Sequence, residues 1–208
     1  MRIDHAVLAV ADLDAAAERL LDATGLDSVP GGTHAAWGTA NRIVPLGEDY
    51  VELMAVVDPG VAAGTVLGRA VLAIVNERSE GWFTICVRDP GIEATAARLG
   101  LAVVDGGRTR PDGVQVRWRH AGVEDVRRAA WLPFFIDWLV PDDLLPGRAA
   151  AAHRVRPTGI EEVTVGGDPA VLRAWVGVDG LPIVADPAGP PGIRAVRVGL
   201  ADGAAVTL

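Results

Sequence analysis

The stretch IDHAVLAVADLDAAAERLLDATGL, residues 3–26, predicts a β-strand that leads directly into an α-helix. Its first eight residues are largely apolar and include the β-branched residues typical of strands. Asp12 stands where a helix N-cap is favoured, leucines and alanines then recur at helical spacing, and Gly25 is typical of a helix end. The chain therefore begins with a strand–helix unit.

A β-hairpin follows this unit. NRIVPLG and YVELMAV flank the turn residues Gly47-Glu48-Asp49, a pattern typical of two paired strands. With a further strand before them, residues 1–57 are predicted to form a strand–helix–strands module. Residues 58–80 carry three glycines among small apolar residues and are interpreted as a connector with one helical turn or more.

The same order recurs further along the chain. GWFTICVRD predicts a strand, DPGIEATAARLGL a helix, and VQVRWRHAG and LPFFIDWLV two more strands. GLDSVPGG at 25–32 and GLAVVDGG at 100–107 share the spacing of Gly-Leu, Val and Gly-Gly, which indicates an internal repeat. We therefore predict a second module over residues 81–145, and a linker with a partial third module over residues 146–208.

The composition excludes several classes of protein. The 208 residues carry a formal net charge of −8 and contain no lysine, so nucleic acid is not an expected partner and lysine Schiff-base chemistry is excluded. No apolar run reaches the roughly 18 residues of a membrane span, and acidic residues near the N-terminus argue against a signal peptide. We expect a soluble, cytoplasmic protein. The single cysteine, Cys86, excludes an intrachain disulfide and is interpreted as a buried thiol.

An arginine-rich segment is the exception to this acidic balance. It contains Arg108, Arg110, Arg117, Arg119, Arg127 and Arg128. We interpret it either as a solvated edge strand and loop, or as a patch that attracts an anionic small molecule. His120 within it, and His153 in the later linker, are expected to be exposed.

Alternation along the predicted strands gathers several polar and aromatic side chains in one concavity. His5 faces away from the first helix, and the hairpin brings Arg42, Tyr50 and Glu52 to the same open face. By the same reasoning, the opposing half is lined by Trp82, Thr84, Cys86, Phe135 and Asp137. Two such halves enclose a cleft, which is the default place for a small-molecule ligand.

These side chains suit a divalent metal ion. Imidazole and carboxylate groups bind zinc, nickel, manganese or iron, and a catalytic site takes about three protein ligands. His5 and Glu52 supply two, and Asp137 or His34 supplies the third. Arg42 either binds a substrate carboxylate or pairs with Glu52 in place of a metal. His34 follows two glycines, and it either contacts a ligand or stabilises a turn.

Three segments resemble the glyoxalase-like domain family of the vicinal-oxygen-chelate (glyoxalase/bleomycin resistance/extradiol dioxygenase) superfamily. They are IDHAVLAVADLDAA, GGTHAAWGTANRIVPLGEDYVELMAV and LPFFIDWLV, and the resemblance covers most of residues 1–175. It implies an α+β fold of paired βαβββ modules with curved mixed sheets that enclose a cleft, here followed by a partial third βαββ module. It also implies metal ligands on the first and last strands of each module, which selects His5, Glu52 and Asp137. The fourth such position falls on Trp82, which cannot ligate a metal.

The first functional hypothesis is a divalent-metal-dependent lyase, isomerase or dioxygenase. It acts on a small carbonyl- or oxygen-chelating substrate, with the metal on His5, Glu52 and Asp137. Glu52 and Asp137 are its catalytic residues. The substrate contacts are Arg42, Tyr50, Trp82, Phe135 and His34.

Two further hypotheses need no metal. In one, the same scaffold binds or sequesters a small molecule against its aromatic side chains. In the other, the fold serves assembly, and the apolar ending GAAVTL supplies an edge strand that joins a homodimer. The sequence does not specify whether the cleft closes within one chain or across such a dimer.

Overall fold

The structure, a computed structural model, describes residues 1–123 and 129–208. Arg127 and Arg128 of the arginine-rich segment lie outside the described residues. Twelve strands and five α-helices occur in these two described ranges, and they form the mixed α+β fold that the sequence predicts.

Two runs of strand, helix and three strands make up most of the chain. The first comprises β1 (Arg2–Val10), α1 (Leu13–Thr24), β2 (Val29–His34), β3 (Thr39–Pro45) and β4 (Tyr50–Val56). The predicted connector contains α2 (Pro59–Gly64) and α3 (Val66–Arg78). The second run comprises β5 (Glu80–Arg88), α4 (Ile92–Leu99), β6 (Val103–Thr109), β7 (Gln115–Ala121) and β8 (Phe134–Trp138). The module boundaries after residues 57, 80 and 145 stay a prediction.

Local sequence signals explain where the helices begin and end. The Asp12 carboxylate accepts hydrogen bonds from the backbone N–H groups of Asp14 and Ala15, both at 2.9 Å, and so caps α1. Gly25 ends this helix in the left-handed region with φ of 76°, and Gly100 ends α4 with φ of 68°. The Gly-Leu positions of the internal repeat are therefore two equivalent helix ends.

The eight strands of the two runs close into a barrel in the order β1-β4-β3-β2-β6-β7-β8-β5. β1 joins the two halves, because it pairs in parallel with β4 and antiparallel with β5. On the far side, β2 and β6 meet along a single residue pair, Thr33 with Thr109. The cleft is therefore enclosed within one chain, a point that the sequence left open.

The remaining elements form a second sheet that packs against the outside of the barrel. They are β9 (Pro157–Gly166), α5 (Pro169–Val176), β10 (Ile183–Asp186), β11 (Gly192–Leu200) and β12 (Ala205–Thr207), with strand order β10-β9-β11-β12. Ile160, Val163 and Val196 of this sheet share a hydrophobic cluster with Ala6 and Ile85 of the barrel. β12 lies at the sheet edge, and a homodimer through it stays a prediction.

Alternation divides the barrel wall into an outer and an inner face. Along β1, Ala6 and Val10 belong to the outer cluster beneath the second sheet, whereas Val7 and Ala9 belong to an inner cluster with Phe83. Side chains on the inner face define the interior of the barrel. Within the described ranges, no helix is both long and apolar enough to cross a membrane.

Candidate functional site

The barrel encloses a cavity with an open volume of about 40 Å³, enough for a few water-sized groups. Its polar lining consists of His5, His34, Asn41, Tyr50, Glu52, Thr84, Arg108 and His120. Much of the remaining wall is aromatic, from Trp37, Phe83, Trp118, Phe134 and Trp138. The cavity therefore combines a compact group of titratable side chains with an apolar surround, which is typical of a ligand site.

His5 lies at the centre of the polar group. Its Nδ1 lies 2.7 Å from Oδ1 of Asp4, and its Nε2 lies 3.5 Å from Oε2 of Glu52. The imidazole also stacks on the ring of Tyr50, with 4.5 Å between ring centroids. All four residues are buried. The ring is thus held on both edges and on one face.

Asp4 fixes the orientation of that imidazole. Its other oxygen, Oδ2, accepts hydrogen bonds from Nε of Arg88 at 2.6 Å and from Nε1 of Trp138 at 2.8 Å. Burial alone would raise the pKa of Asp4, but the hydrogen bond to His5 and the charges of His5 and Arg88 hold it below the ordinary value. An ionised Asp4 accepts a hydrogen bond from Nδ1 of His5, which orients the ring with Nε2 directed towards Glu52.

The motif that carries the family resemblance forms the frame around Glu52. Nδ2 of Asn41 donates a hydrogen bond to Oε1 of Glu52. Nδ1 of His34 lies 3.2 Å from Oγ1 of Thr39, across the turn that joins β2 and β3. Gly31 leaves room for Asn41, because a Cβ at that glycine would lie 2.1 Å from Oδ1 of the amide. The glycines, His34 and Asn41 of the motif are therefore parts of one packed arrangement.

Two histidines in the cavity are held neutral by burial. Burial lowers the pKa of His34 to about 4, with a smaller opposing effect from Glu52. Burial likewise lowers the pKa of His120. The expectation that His120 is exposed is wrong, because alternation along β7 directs it inward, where its ring contacts Trp37 with 5.9 Å between centroids.

His153 is also less exposed than expected. Its Nδ1 accepts a hydrogen bond from the backbone N–H of Asp27 at 2.9 Å, and its Nε2 donates to the carbonyl oxygen of Pro45 at 2.8 Å. These contacts half-bury the ring and join the linker before β9 to the barrel. His153 does not line the interior cavity.

Arg42 lies on the outer face of the barrel rather than in the predicted concavity. Its Nε donates to Oγ of Ser28, and its Nη1 pairs with Oδ1 of Asp14, both at 2.9 Å. The reason is register: Ile43, not Val44, lies opposite Glu52. A shift of one residue moves every side chain of a strand to the other face, so Asn41 points inward in place of Arg42.

The predicted inward positions on β8 are shifted by one residue in the same way. Cys86 pairs with Phe134, and Phe134 and Ile136 line the cavity. Asp137 therefore points outward, where it pairs with Arg119. Phe135 also points outward and stacks on Trp175 with 6.4 Å between ring centroids.

Trp82 is directed out of the cavity by an irregularity in β5. Val7 pairs with Thr84, but Leu8 pairs with Trp82, so the register shifts between them. Trp82 packs against the outer cluster beneath the second sheet. Thr84 lines the cavity as predicted, and Cys86 is buried in the inner cluster.

The donor set does not fit the metal centre that the superfamily implies. His5 and Glu52 supply two ligands, whereas a catalytic ion takes about three, and Asp137 faces away. His34 and His120 also line the cavity, but among the described residues their ligand atoms do not form a cluster with those of His5 and Glu52. Within the described ranges, the ligand atoms of Asp4, His5 and Cys86 do lie within 4.8 Å of one another. Asp4, however, is already bound to a guanidinium and an indole. Burial raises the pKa of the Cys86 thiol well above its ordinary value, which disfavours the thiolate that a metal binds.

Sequence reasoning missed several residues that line or support the cavity. Asn41 and His120 were missed because their faces depend on strand register, which the sequence specifies only through turn geometry. Trp37 lies in the loop after β2, where alternation gives no information. Asp4 was missed because it points away from the cavity and acts through His5.

Comparisons with known proteins agree with the architecture. The glyoxalase-like domain family matches residues 3–177. A hypothetical protein from Staphylococcus aureus is similar in structure, with 20% identity and a TM-score of 0.66, over 99% of this chain and 84% of that one. A variant of Streptomyces coelicolor methylmalonyl-CoA epimerase, in complex with 2-nitronate-propionyl-CoA, shows 19% identity and a TM-score of 0.50 over 67% and 96%. No curated protein matches the chain.

The two structural likenesses concern the fold, since both identities are low. The family match spans most of the chain and includes the segments that carry His5, His34, Asn41 and Glu52. The protein is a member of the glyoxalase-like domain family.

Proposed function

We propose that the barrel interior is a proton-transfer site for a small carbonyl compound, and that His5 and Glu52 move the proton. One observation carries this proposal: Nε2 of His5 and Oε2 of Glu52 face each other at 3.5 Å inside a buried cavity. Asp4 holds Nδ1 of the same imidazole at 2.7 Å. The arrangement supplies two bases whose positions are fixed before any ligand enters.

The chemistry suits a carbon next to a carbonyl group. One of the two bases removes the proton from that carbon, and the electron pair moves to the carbonyl oxygen as an enolate. The other side chain starts in its protonated form and gives its proton to the same carbon. The proton held by the first base then passes to that side chain across the 3.5 Å gap, so no proton or electron is gained or lost overall. This is the reaction class of isomerases and epimerases, and the Streptomyces coelicolor protein of similar fold is named an epimerase.

The size of the cavity limits what can react there. An open volume of about 40 Å³ admits only a small reactive end of a substrate, and any larger part must lie elsewhere. The proposal uses no metal ion, because the described residues bring no third ligand atom together with those of His5 and Glu52. It therefore differs from the first hypothesis drawn from the sequence.

A second candidate function is ligand binding without reaction. It is favoured by the aromatic wall formed by Trp37, Trp118 and Trp138, which suits a flat or apolar ligand. In that case Glu52 and His5 would serve as hydrogen-bond partners. Binding to metal-stripped protein, with a change in tryptophan fluorescence and no exchange of substrate protons, would favour it.

The test follows proton exchange in heavy water by nuclear magnetic resonance. The probes are pyruvate, lactaldehyde and a methylmalonyl thioester, each with an exchangeable hydrogen beside a carbonyl. We expect exchange with the parent protein, and a loss of about a hundredfold or more in Glu52→Gln and in His5→Gln. Asp137→Asn is the matched control, because it removes a carboxylate on the outer face.

The Asp137→Asn control distinguishes metal-free proton transfer from a metal-dependent reaction. Proton transfer by His5 and Glu52 leaves Asp137→Asn as active as the parent. Near-stoichiometric metal by plasma mass spectrometry, lost together with activity in Asp137→Asn, would favour the metal hypothesis instead. Absence of exchange with all three probes, or equal exchange in Glu52→Gln, would count against the proposal.

A further inference from the structure

Arg108 on β6 is a buried cation with an unused donor. The residue is 7% exposed, and its Nη1 has no hydrogen-bond partner among the described residues. A buried polar group is normally paired, and a guanidinium that is left partly unpaired carries a substantial desolvation penalty. Nη1 of Arg108 is therefore available to donate a hydrogen bond to a ligand.

Arg108 lies between two spaces. On one side it lines the interior cavity with His5 and Glu52. On the other side it lines an outer groove of about 510 Å³, formed by Val29–Gly31 of β2 and the segment from Asp143 to Ala150, with the turn after β6. The small reactive space and the larger outer space thus share one positively charged side chain.

The barrel wall is thin at this point. β2 and β6 are joined by a single residue pair, and Gly31 and Gly32 present no side chains there. A Cβ at Gly32 would lie 3.2 Å from Nη1 of Arg108 and 2.5 Å from the carbonyl oxygen of Thr109. The absence of a Cβ at Gly32 is what allows the guanidinium to lie close to the wall.

The groove favours anions in an otherwise acidic chain. It is lined by three arginines and two aspartates, whereas the whole chain carries a net charge of −8. Arg110 pairs with Asp112 at 3.0 Å, and Nε of Arg148 donates to Glu48 at 3.0 Å. Arg108 has no such carboxylate partner among the described residues, so its planar donor edge is free for an incoming oxyanion.

We propose that Arg108 recognises a carboxylate of the substrate at the point where the outer groove and the interior cavity meet. The small carbonyl end then enters the cavity beside His5 and Glu52, and the remainder of the molecule lies in the groove. The substrate class is a carbonyl compound that bears a carboxylate. The placement of its reactive end rests on the function proposed above, whereas the anion contact does not.

The test is a binding titration by calorimetry, which needs no catalysis. The probes are pyruvate and malonate, each against its neutral amide, and inorganic phosphate as a different oxyanion. We expect the parent protein to bind the carboxylates better than the amides. Arg108→Gln should weaken carboxylate binding about tenfold or more, the loss of one charge-assisted hydrogen bond, and Arg108→Lys should restore part of it.

Arg117→Ala is the matched control, because Arg117 is an exposed arginine on the neighbouring strand and does not line the groove. It should bind the carboxylates as the parent does. Arg108→Gln removes a charge with an unused donor, so its urea unfolding should match or exceed the stability of the parent. The variant therefore remains testable in its folded form.

Several outcomes overturn the proposal. These are equal carboxylate binding in Arg108→Gln, equal binding of amides and carboxylates by the parent, preference for phosphate, and no carboxylate binding at millimolar concentrations. Its failure is distinct from failure of the proposed function. If binding depends on Arg108 but no probe exchanges its proton, the anion site stands and proton transfer fails. If the parent exchanges substrate protons and Arg108→Gln binds carboxylates as well as the parent, proton transfer stands and the anion site fails.

Discussion

His5 and Glu52 approach each other at 3.5 Å because of the parallel pairing of β1 and β4. In this pairing His5 lies beside Tyr50, and Glu52 lies beside Val7, two residues further along. Side chains two residues apart on neighbouring strands share one face and come within reach on the diagonal. Backbone pairing therefore places the two side chains on one face, and hydrogen bonds with Asp4 and Asn41 hold their polar ends.

Asp4→Asn should lower the free energy of unfolding by about 3 kcal/mol at pH 7, because it removes the charge that Arg88 and His5 face in a buried site. The folded pKa of Asp4 lies below its ordinary value of 3.8. Its contribution is therefore fully present above that value and is lost as the pH falls through the folded pKa. Urea unfolding followed by tryptophan fluorescence measures the change.

Asp22→Asn is the control for this variant. Asp22 also pairs with an arginine, Arg154 at 3.1 Å, but its side chain is 75% exposed. An exposed pair of this kind contributes between zero and about 1 kcal/mol. Equal destabilisation by the two variants would show that burial of Asp4 does not increase its contribution to the free energy of unfolding.

His34→Gln should change the pH dependence of stability. The pKa of His34 is about 4 in the folded protein against an ordinary 6.5, so the unfolded chain binds the proton more readily between these values. The contribution of His34 to the free energy of unfolding is therefore fully present above about pH 6.5. It falls by about 3 kcal/mol in total as the pH drops towards 4. Relative to the parent, His34→Gln should therefore become steadily more stable over this range.

The free energy of unfolding of His34→Gln must be compared with that of the parent at each pH, because Asp49 changes stability with pH in the opposite direction. Burial raises its pKa to about 6, so its contribution to stability grows as the pH falls from about 6 towards 3.8. Unfolding of the parent and His34→Gln at several pH values cancels this effect. A constant difference between the two proteins from pH 7 to pH 4 would refute the assignment for His34.

Gly31→Ala should destabilise the barrel and displace the frame around Glu52. The added Cβ would lie 2.1 Å from Oδ1 of Asn41, whose amide is held by Glu52. Overpacking of this kind costs about 1–3 kcal/mol. Gly64→Ala is the control, since a Cβ there meets no atom within 4 Å. Thermal unfolding of both variants gives the comparison, and an equally stable Gly31→Ala would contradict the packing argument.

Cys86 should be unreactive in the folded protein. Burial raises its pKa well above the ordinary 9, so little of the reactive thiolate exists at pH 8. We expect a disulfide reagent such as DTNB to modify it only after denaturation in urea. Because Cys86 is the single cysteine, Cys86→Ala gives the background. Rapid modification of the native protein would show that the inner cluster opens readily.

Local signals predicted much of the architecture. The Asp12 cap, the Gly25 and Gly100 helix ends and the hairpin before Glu52 are decided by residues close in sequence, so pattern reasoning recovers them. The family resemblance and the α+β class are confirmed by the family match and by the fold. His5, Tyr50 and Glu52 were also placed correctly on one inner face.

Strand register set the limit of that reasoning. Arg42 and Asp137 were each assigned to the inner face, and each lies one residue from the residue that points inward. Alternation has a period of two, so an error of one residue in pairing reverses the face, and no local signal corrects it. The bulge that turns Trp82 outward is equally invisible in the sequence.

By itself, the sequence determined the order of strands and helices, the internal repeat and the inward positions of His5, Tyr50 and Glu52, because each depends on short-range periodicity and capping. Only the tertiary structure decided that Asn41, Arg108 and His120 join them. Barrel closure brings Arg108 to the same cavity as His5 and Glu52, across more than fifty residues of chain. That meeting follows from pairing between distant strands and from the glycines that permit close approach, and neither is encoded by the neighbours of Arg108 in the sequence.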